Sequence, residues 1–174
     1  MNLGLLVIRA AVGLLLVGHG SQKLFGWFGG HGPEGTGASF ESMGLRPGRR
    51  MATLAGVAEI AGGALLAAGL LTPLGAALVS AVMLTAIWTV HRTNGLWITE
   101  GGFEYNLVMM AAAFGVTATG PGDWSLDHVL GLDLAGAGWA LAALAVGALG
   151  AIAAIALARS STQRPVHGPQ PAGS

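Results

Sequence analysis

Two groups of ionisable residues are embedded in otherwise apolar sequence, and their types limit the chemistry open to the chain. His19 and Lys23 are four residues apart and share one face of a helix. His91, Arg92, Asn94 and Trp97 end another apolar run, and Glu104 and Asn106 open the next. A pocket built from these groups suits a carbonyl-bearing ligand such as a quinone head group, with His and Lys as donors and Glu104 as the proton carrier. Each residue taken alone has a plainer reading, as a snorkelling or capping residue at a membrane boundary. The candidate pocket is therefore the set His19, Lys23, His91, Asn94, Trp97 and Glu104.

Arg9 and Glu59 form the second group, each well inside a run of apolar residues. A central Arg costs about 2.5 to 3.5 kcal/mol on insertion scales, so a partner is expected. If their helices form a hairpin, Arg9 lies roughly 9 Å below one membrane boundary and Glu59 about 13 Å above the other. Roughly 8 Å of a core about 30 Å thick then separates them, which two long side chains can close. The expectation is a buried Arg9–Glu59 ion pair, with a proton-relaying Glu59 as the functional alternative. A bis-histidine haem on His19 and His91 is a further use of these residues, but no haem-attachment motif supports it. Neither a metal nor an intrinsic cofactor is expected, and quinone is the ligand to which the pocket points.

The elements that must position these residues follow from composition. Only 9% of the 174 residues are charged and 53% are hydrophobic, against about 25% charged in soluble domains. The absence of cysteine excludes disulfides, thiolate metal sites and dithiol relays. A formal net charge of zero gives no electrostatic case for nucleic-acid binding. Apolar runs at about 3–22, 51–71, 74–91, 103–119 and 134–158 predict an all-α membrane protein with five spans. A cleaved signal peptide is the competing reading of the first run, which lacks a positive flank and a small-residue cleavage site.

Basic residues test that count. With five spans, Lys23, Arg46, Arg49, Arg50, Arg92, Arg159 and Arg164 fall on one side, while the loops bearing Asp123, Asp127 and Asp133 fall on the other. The positive side is the retained side, so the N-terminus is expected outside and the C-terminus in the cytoplasm. Domain 1–158 would then be followed by a disordered tail, 159–174.

Thr72-Pro73 predicts a tight turn between the second and third spans, with Pro73 at the first position of a helix and Thr72 capping it from the position before. Small residues, among them Gly56, Gly62 and Gly63 in the second span and Gly147 and Ala151 in the fifth, let helices approach closely. Intramolecular packing and a homo-oligomer face are both open uses of them. Residues 38–45 predict a short interfacial helix carrying Phe40 and Met43. In the 120–127 loop, Ser125 is a candidate helix cap, Trp124 an interface anchor, and the acidic residues read as solvated charge.

The order of motifs adds a resemblance. Arg9, His19-Gly20-x-x-Lys23, Gly44-Leu45-x-Pro47-Gly48, Glu59 with Gly62-Gly63, Gly69-Leu70-Leu71-Thr72-Pro73, His91, Gly95, Trp97, Gly101-Gly102-x-Glu104 and Ser125-Leu126-Asp127 follow one another as in the DoxX family of small bacterial membrane proteins. The resemblance runs from Leu3 to about Gly131. It implies a four-helix core in the bacterial inner membrane, similar to the quinone-linked membrane subunit of a thiosulfate-oxidising oxidoreductase. Relatives are associated with oxidoreductase assemblies that handle sulfur compounds or oxidative stress. The fifth apolar run goes beyond the family's usual four.

Three functions fit these readings. The first is an accessory, quinone-facing subunit that docks an oxidoreductase partner on its cytoplasmic side. The second is a small-solute or proton-coupled transporter, against which the sequence shows no internal repeat and no broken helix pair. The third is a membrane scaffold without chemistry.

Overall fold

The computed structural model describes residues 2–160. Seven α-helices are present among them: α1 (Asn2–Phe25), α2 (Gly32–Ser42), α3 (Gly48–Ala68), α4 (Thr72–Ala86), α5 (Glu104–Thr119), α6 (Leu126–Val129) and α7 (Ala137–Ser160). Four described helical stretches are long and apolar enough to cross a membrane: Asn2–Phe25, Gly48–Ala68, Thr72–Asn94 and Ala137–Ser160. α5, at 16 residues, falls short of that length. The last span begins three residues later than expected and continues to Ser160, so Arg159 ends a helix. Arg164 and the expected tail from residue 161 onward lie outside the described residues.

α1, α3, α4 and α5 close into a four-membered ring, each packing on the next and α5 returning to α1. α7 packs outside that ring, chiefly on α4 and also on α5, while α2 lies on α3. Close approach explains which pairs form. A Cβ added at Gly20 would sit 2.6 Å from the Gly56 carbonyl, and one added at Gly63 would sit 2.5 Å from the Gly13 carbonyl. Only glycine allows this contact between α1 and α3, and in lipid such packing has to replace the hydrophobic force. Gly62 meets Leu78 and Gly75 of α4 in the same way, and Gly147 of α7 meets Ser80 and Ala77. The small residues therefore serve packing within the chain.

The α3–α4 turn differs from expectation. α3 ends at Gly69 in the left-handed region (φ 62°), where Leu70 N–H reaches the Leu65 carbonyl at 2.9 Å and Gly69 N–H the Leu66 carbonyl at 3.1 Å. Leu71, rather than Thr72, precedes the first turn of α4, with a φ of 44°. A left-handed leucine costs about 1 to 2 kcal/mol, so something else must hold it. Pro73 sits in the first turn, where its missing N–H is no loss.

α2 begins at Gly32, well before residue 38, because Pro33 and Glu34 suit a first helical turn. α4 continues as a π-helical turn, Ile87–His91, and a 3-10 turn, Arg92–Asn94. The wider turn brings Thr89, Val90 and His91 to the wall of one cavity.

Candidate functional site

Glu59 is 4% exposed on α3, and its partner is Lys23. Lys23 Nζ donates to Glu59 Oε1 at 2.9 Å and lies 2.8 Å from Oε2. The glycine contacts at Gly13–Gly63 and Gly20–Gly56 fix the register between α1 and α3. That register sets Glu59 beside the last turns of α1, within reach of Lys23. The expected Arg9–Glu59 pair does not form. Arg9 lies ten residues earlier on α1 than His19, roughly 15 Å along the helix, and is level with Gly69 at the far end of α3. The estimate from span ends failed because the glycine contacts, and not the ends of the apolar runs, set how α1 is offset against α3.

His19 stands one turn before Lys23. Its ring meets Tyr105 of α5 edge-on, with centroids 5.6 Å apart, and its Nδ1 lies 3.2 Å from Gln22 Oε1. The Tyr105 hydroxyl is buried with no hydrogen-bond partner among the described residues. Beside it, Asn106 Nδ2 approaches Met83 Sδ at 3.4 Å. All these side chains except Gln22 line a cavity of about 560 Å³. The rest of its wall is apolar or self-satisfied. Thr85 and Thr89 donate to the Ala81 and Thr85 carbonyls, each at 2.8 Å, and so present methyl groups.

The cavity gathers His19, Lys23 and His91 of the expected pocket and adds Glu59, Tyr105 and Asn106. Asn94, Trp97 and Glu104 do not line it. Glu104 instead accepts the Ile98 N–H at 3.0 Å, and Asn94 donates to the Gly101 carbonyl at 3.2 Å. His91 Nδ1 meets that same carbonyl at 2.7 Å. These contacts shape the 95–103 loop, and Trp97 is exposed on it. Similar depth was legible for all six residues, but the π and 3-10 turns carry the later ones away from the bundle interior. Tyr105 was missed although it adjoins Glu104. A tyrosine at the start of an apolar run was the available signal.

A second polar cluster closes the opposite end. Asp127 is 1% exposed and accepts Leu71 N–H at 2.7 Å, Thr72 N–H at 3.0 Å and the Thr72 hydroxyl at 2.6 Å. In return Asp127 N–H donates to the Gly69 carbonyl at 2.8 Å. One carboxylate thus holds the left-handed Leu71 and caps α4, so the expectation of a solvated loop charge is corrected. Arg9, 1% exposed, donates to the Trp124 carbonyl and lies within electrostatic reach of Asp127. Ser125 caps α6 as expected, accepting His128 N–H at 3.2 Å. Trp124 is exposed beside it.

Apart from Arg9, the described lysine and arginine residues gather at one end of the bundle, where Glu34, Glu41, Glu100 and Glu104 also lie. Lys23, Arg46, Arg49, Arg50, Arg92 and Arg159 lie toward the end where α1 finishes and α3 begins, and Asp123, Asp127 and Asp133 lie toward the other.

Comparison with known proteins gives the family. A profile of the DoxX family matches residues 4–92, which holds Arg9, His19, Lys23, Glu59 and His91. The uncharacterized membrane protein Rv3486 of Mycobacterium tuberculosis is 32% identical over 134 residues, covering 71% of this chain and 78% of that protein. No solved structure matches the chain. With apolar helices long enough to cross a bilayer and a match over half its length, the chain is a membrane protein that belongs to the DoxX family.

Proposed function

We propose that the cavity binds a quinone head group and that the protein is the quinone-facing accessory subunit of a membrane oxidoreductase assembly, of the kind that handles sulfur compounds or oxidative stress. One observation carries this reading: the Lys23–Glu59 pair and the unpartnered Tyr105 hydroxyl stand together at the polar end of a largely apolar cavity. A quinone presents two carbonyl acceptors on an apolar ring, which suits a donor ammonium and a donor hydroxyl beside apolar walls. Reduction to the quinol takes two electrons and two protons. The electrons come from a soluble or membrane-bound redox partner docked on the basic end, near Arg46, Arg49, Arg50 and Arg92. Glu59 and His19 are the groups placed to pass protons.

The topology belongs to the same proposal. α5 is the fifth crossing, roughly 24 Å long, and is completed by Phe103 and the turn at Gly120. The N-terminus then lies outside and the basic end in the cytoplasm, in the bacterial inner membrane.

Purification from native membranes in mild detergent tests the reading, with partner identification, an absorption spectrum and quinone extraction on one sample. Bound quinone with a redox protein is expected. A protein that carries no quinone, and takes none up when a short-chain quinone is added, overturns it.

A further inference from the structure

α3 and α4 touch closely at their turn, through Gly62, Leu66 and Gly75, and diverge toward the basic end. There Ala55 and Ala58 of α3 face Ala81 and Thr85 of α4 across open space. α7 lines the same space with Gly150, Ala153 and Ala154. α3 and α7 both pack on α4 but scarcely on each other, so a slot runs between them with α4 as its floor. Its rim carries Leu54 and Leu157, which are 57% and 59% exposed on the surface that lipid covers. The cavity therefore has a polar inner end and an apolar arm that opens sideways.

We propose that this slot is a lateral passage from the bilayer, and that the occupant is a long-tailed polyprenyl quinone whose head reaches Lys23 and Tyr105 while its tail lies between α3 and α7. The proposal rests on the quinone reading above and narrows its substrate class. Complementarity argues for it. A head group with two acceptors matches the donors at the polar end, and a methyl-branched chain matches a smooth wall of alanine, glycine and methyl-presenting threonine. A soluble quinone would leave that arm empty, and an aqueous route would need polar groups along it. A phospholipid would bring a charged head that the polar end, with its own internal ion pair, does not balance.

The full-length chain in phosphatidylcholine nanodiscs provides the test, with a polyprenyl benzoquinone and its tailless counterpart as probes and quenching of tryptophan fluorescence as the readout. Expected is tighter binding of the tailed quinone by at least about tenfold. The double variant Ala58→Phe/Ala154→Phe, which fills the slot but not the head-group end, should lose that advantage while binding the tailless quinone within about twofold of wild type. Leu54→Trp on the exposed rim is the second variant, with circular dichroism and elution volume reporting the fold, and it should weaken the tailed quinone alone. Unchanged binding of the tailed quinone by both folded variants, or equal binding of the two quinones by wild type, overturns the passage and leaves the head-group site standing. If wild type binds neither quinone, the quinone reading itself falls and the passage with it.

Discussion

Lys23 Nζ and Glu59 Oε2 lie 2.8 Å apart across the glycine-lined contact of α1 and α3, and the pair is the inner wall of the cavity. Glu59 is almost wholly enclosed, whereas the Lys23 side chain keeps 21% exposure. Removing the carboxylate strands an ammonium that can partly reach water. Glu59→Gln should therefore cost about 2 kcal/mol, below the 3 to 5 kcal/mol of a fully buried pair. The double variant Lys23→Met/Glu59→Leu should be more stable than either single change. Thermal melts in detergent, assembled as a double-mutant cycle, measure the coupling.

Tyr105→Phe separates stability from binding. Its hydroxyl is buried without a partner, so deleting it should leave stability unchanged or raise it by about 1 kcal/mol. Quinone binding should weaken several-fold, read by titration of the purified protein. A variant that binds quinone as well as wild type removes Tyr105 from the head-group site.

Asp127→Ala should be among the most damaging single substitutions. It leaves two backbone amides and the Thr72 hydroxyl without their acceptor and a left-handed Leu71 without its restraint. A loss of about 3 to 4 kcal/mol is expected. Thr72→Val removes one of these bonds and should cost about 1 kcal/mol. Chemical unfolding in mixed micelles ranks the two.

Gly69→Ala meets two obstacles together. The left-handed backbone disfavours any side chain, and an added Cβ would overlap the Arg9 guanidinium and lie 2.6 Å from Ser125 Cβ. Accumulation in membranes should fall sharply, while Gly18→Ala, which meets nothing within 4 Å, should accumulate normally. Quantitative blotting of membrane fractions compares them.

The native chain has no cysteine, so single introduced cysteines report topology without background. With five crossings, Asp133→Cys should react with an impermeant maleimide added to intact cells, and Arg50→Cys should react only after lysis. The reverse pattern overturns the orientation, and labelling of both from one side overturns α5 as a crossing.

Much of this was legible in the residues, for identifiable reasons. Apolar length betrayed the long helices, and a helix's regular spacing put His19 and Lys23 on one face. Helix register was not legible. A depth estimate supposes that helices end at the membrane boundary, whereas Gly13–Gly63 and Gly20–Gly56 contacts slide α1 against α3 until Glu59 meets Lys23 instead of Arg9. Asp127 was misread for a related reason. Its partners at Leu71 and Thr72 lie far back in the chain, and nothing local to a Ser-Leu-Asp loop reveals that it will be enclosed.

That long-range tether also orders events during synthesis. The carboxylate that restrains the hairpin turn, and the carbonyl that receives the Arg9 guanidinium, are both translated only after α1, α3, α4 and α5 have been made. Until residues 124–127 emerge, the first helices are inserted yet unlatched, with a cation in the hydrocarbon and a turn free to sample other shapes. The loop after α5 is thus the clasp of the bundle, and a ribosome that stalls before it leaves a chain in the bilayer that has not yet locked.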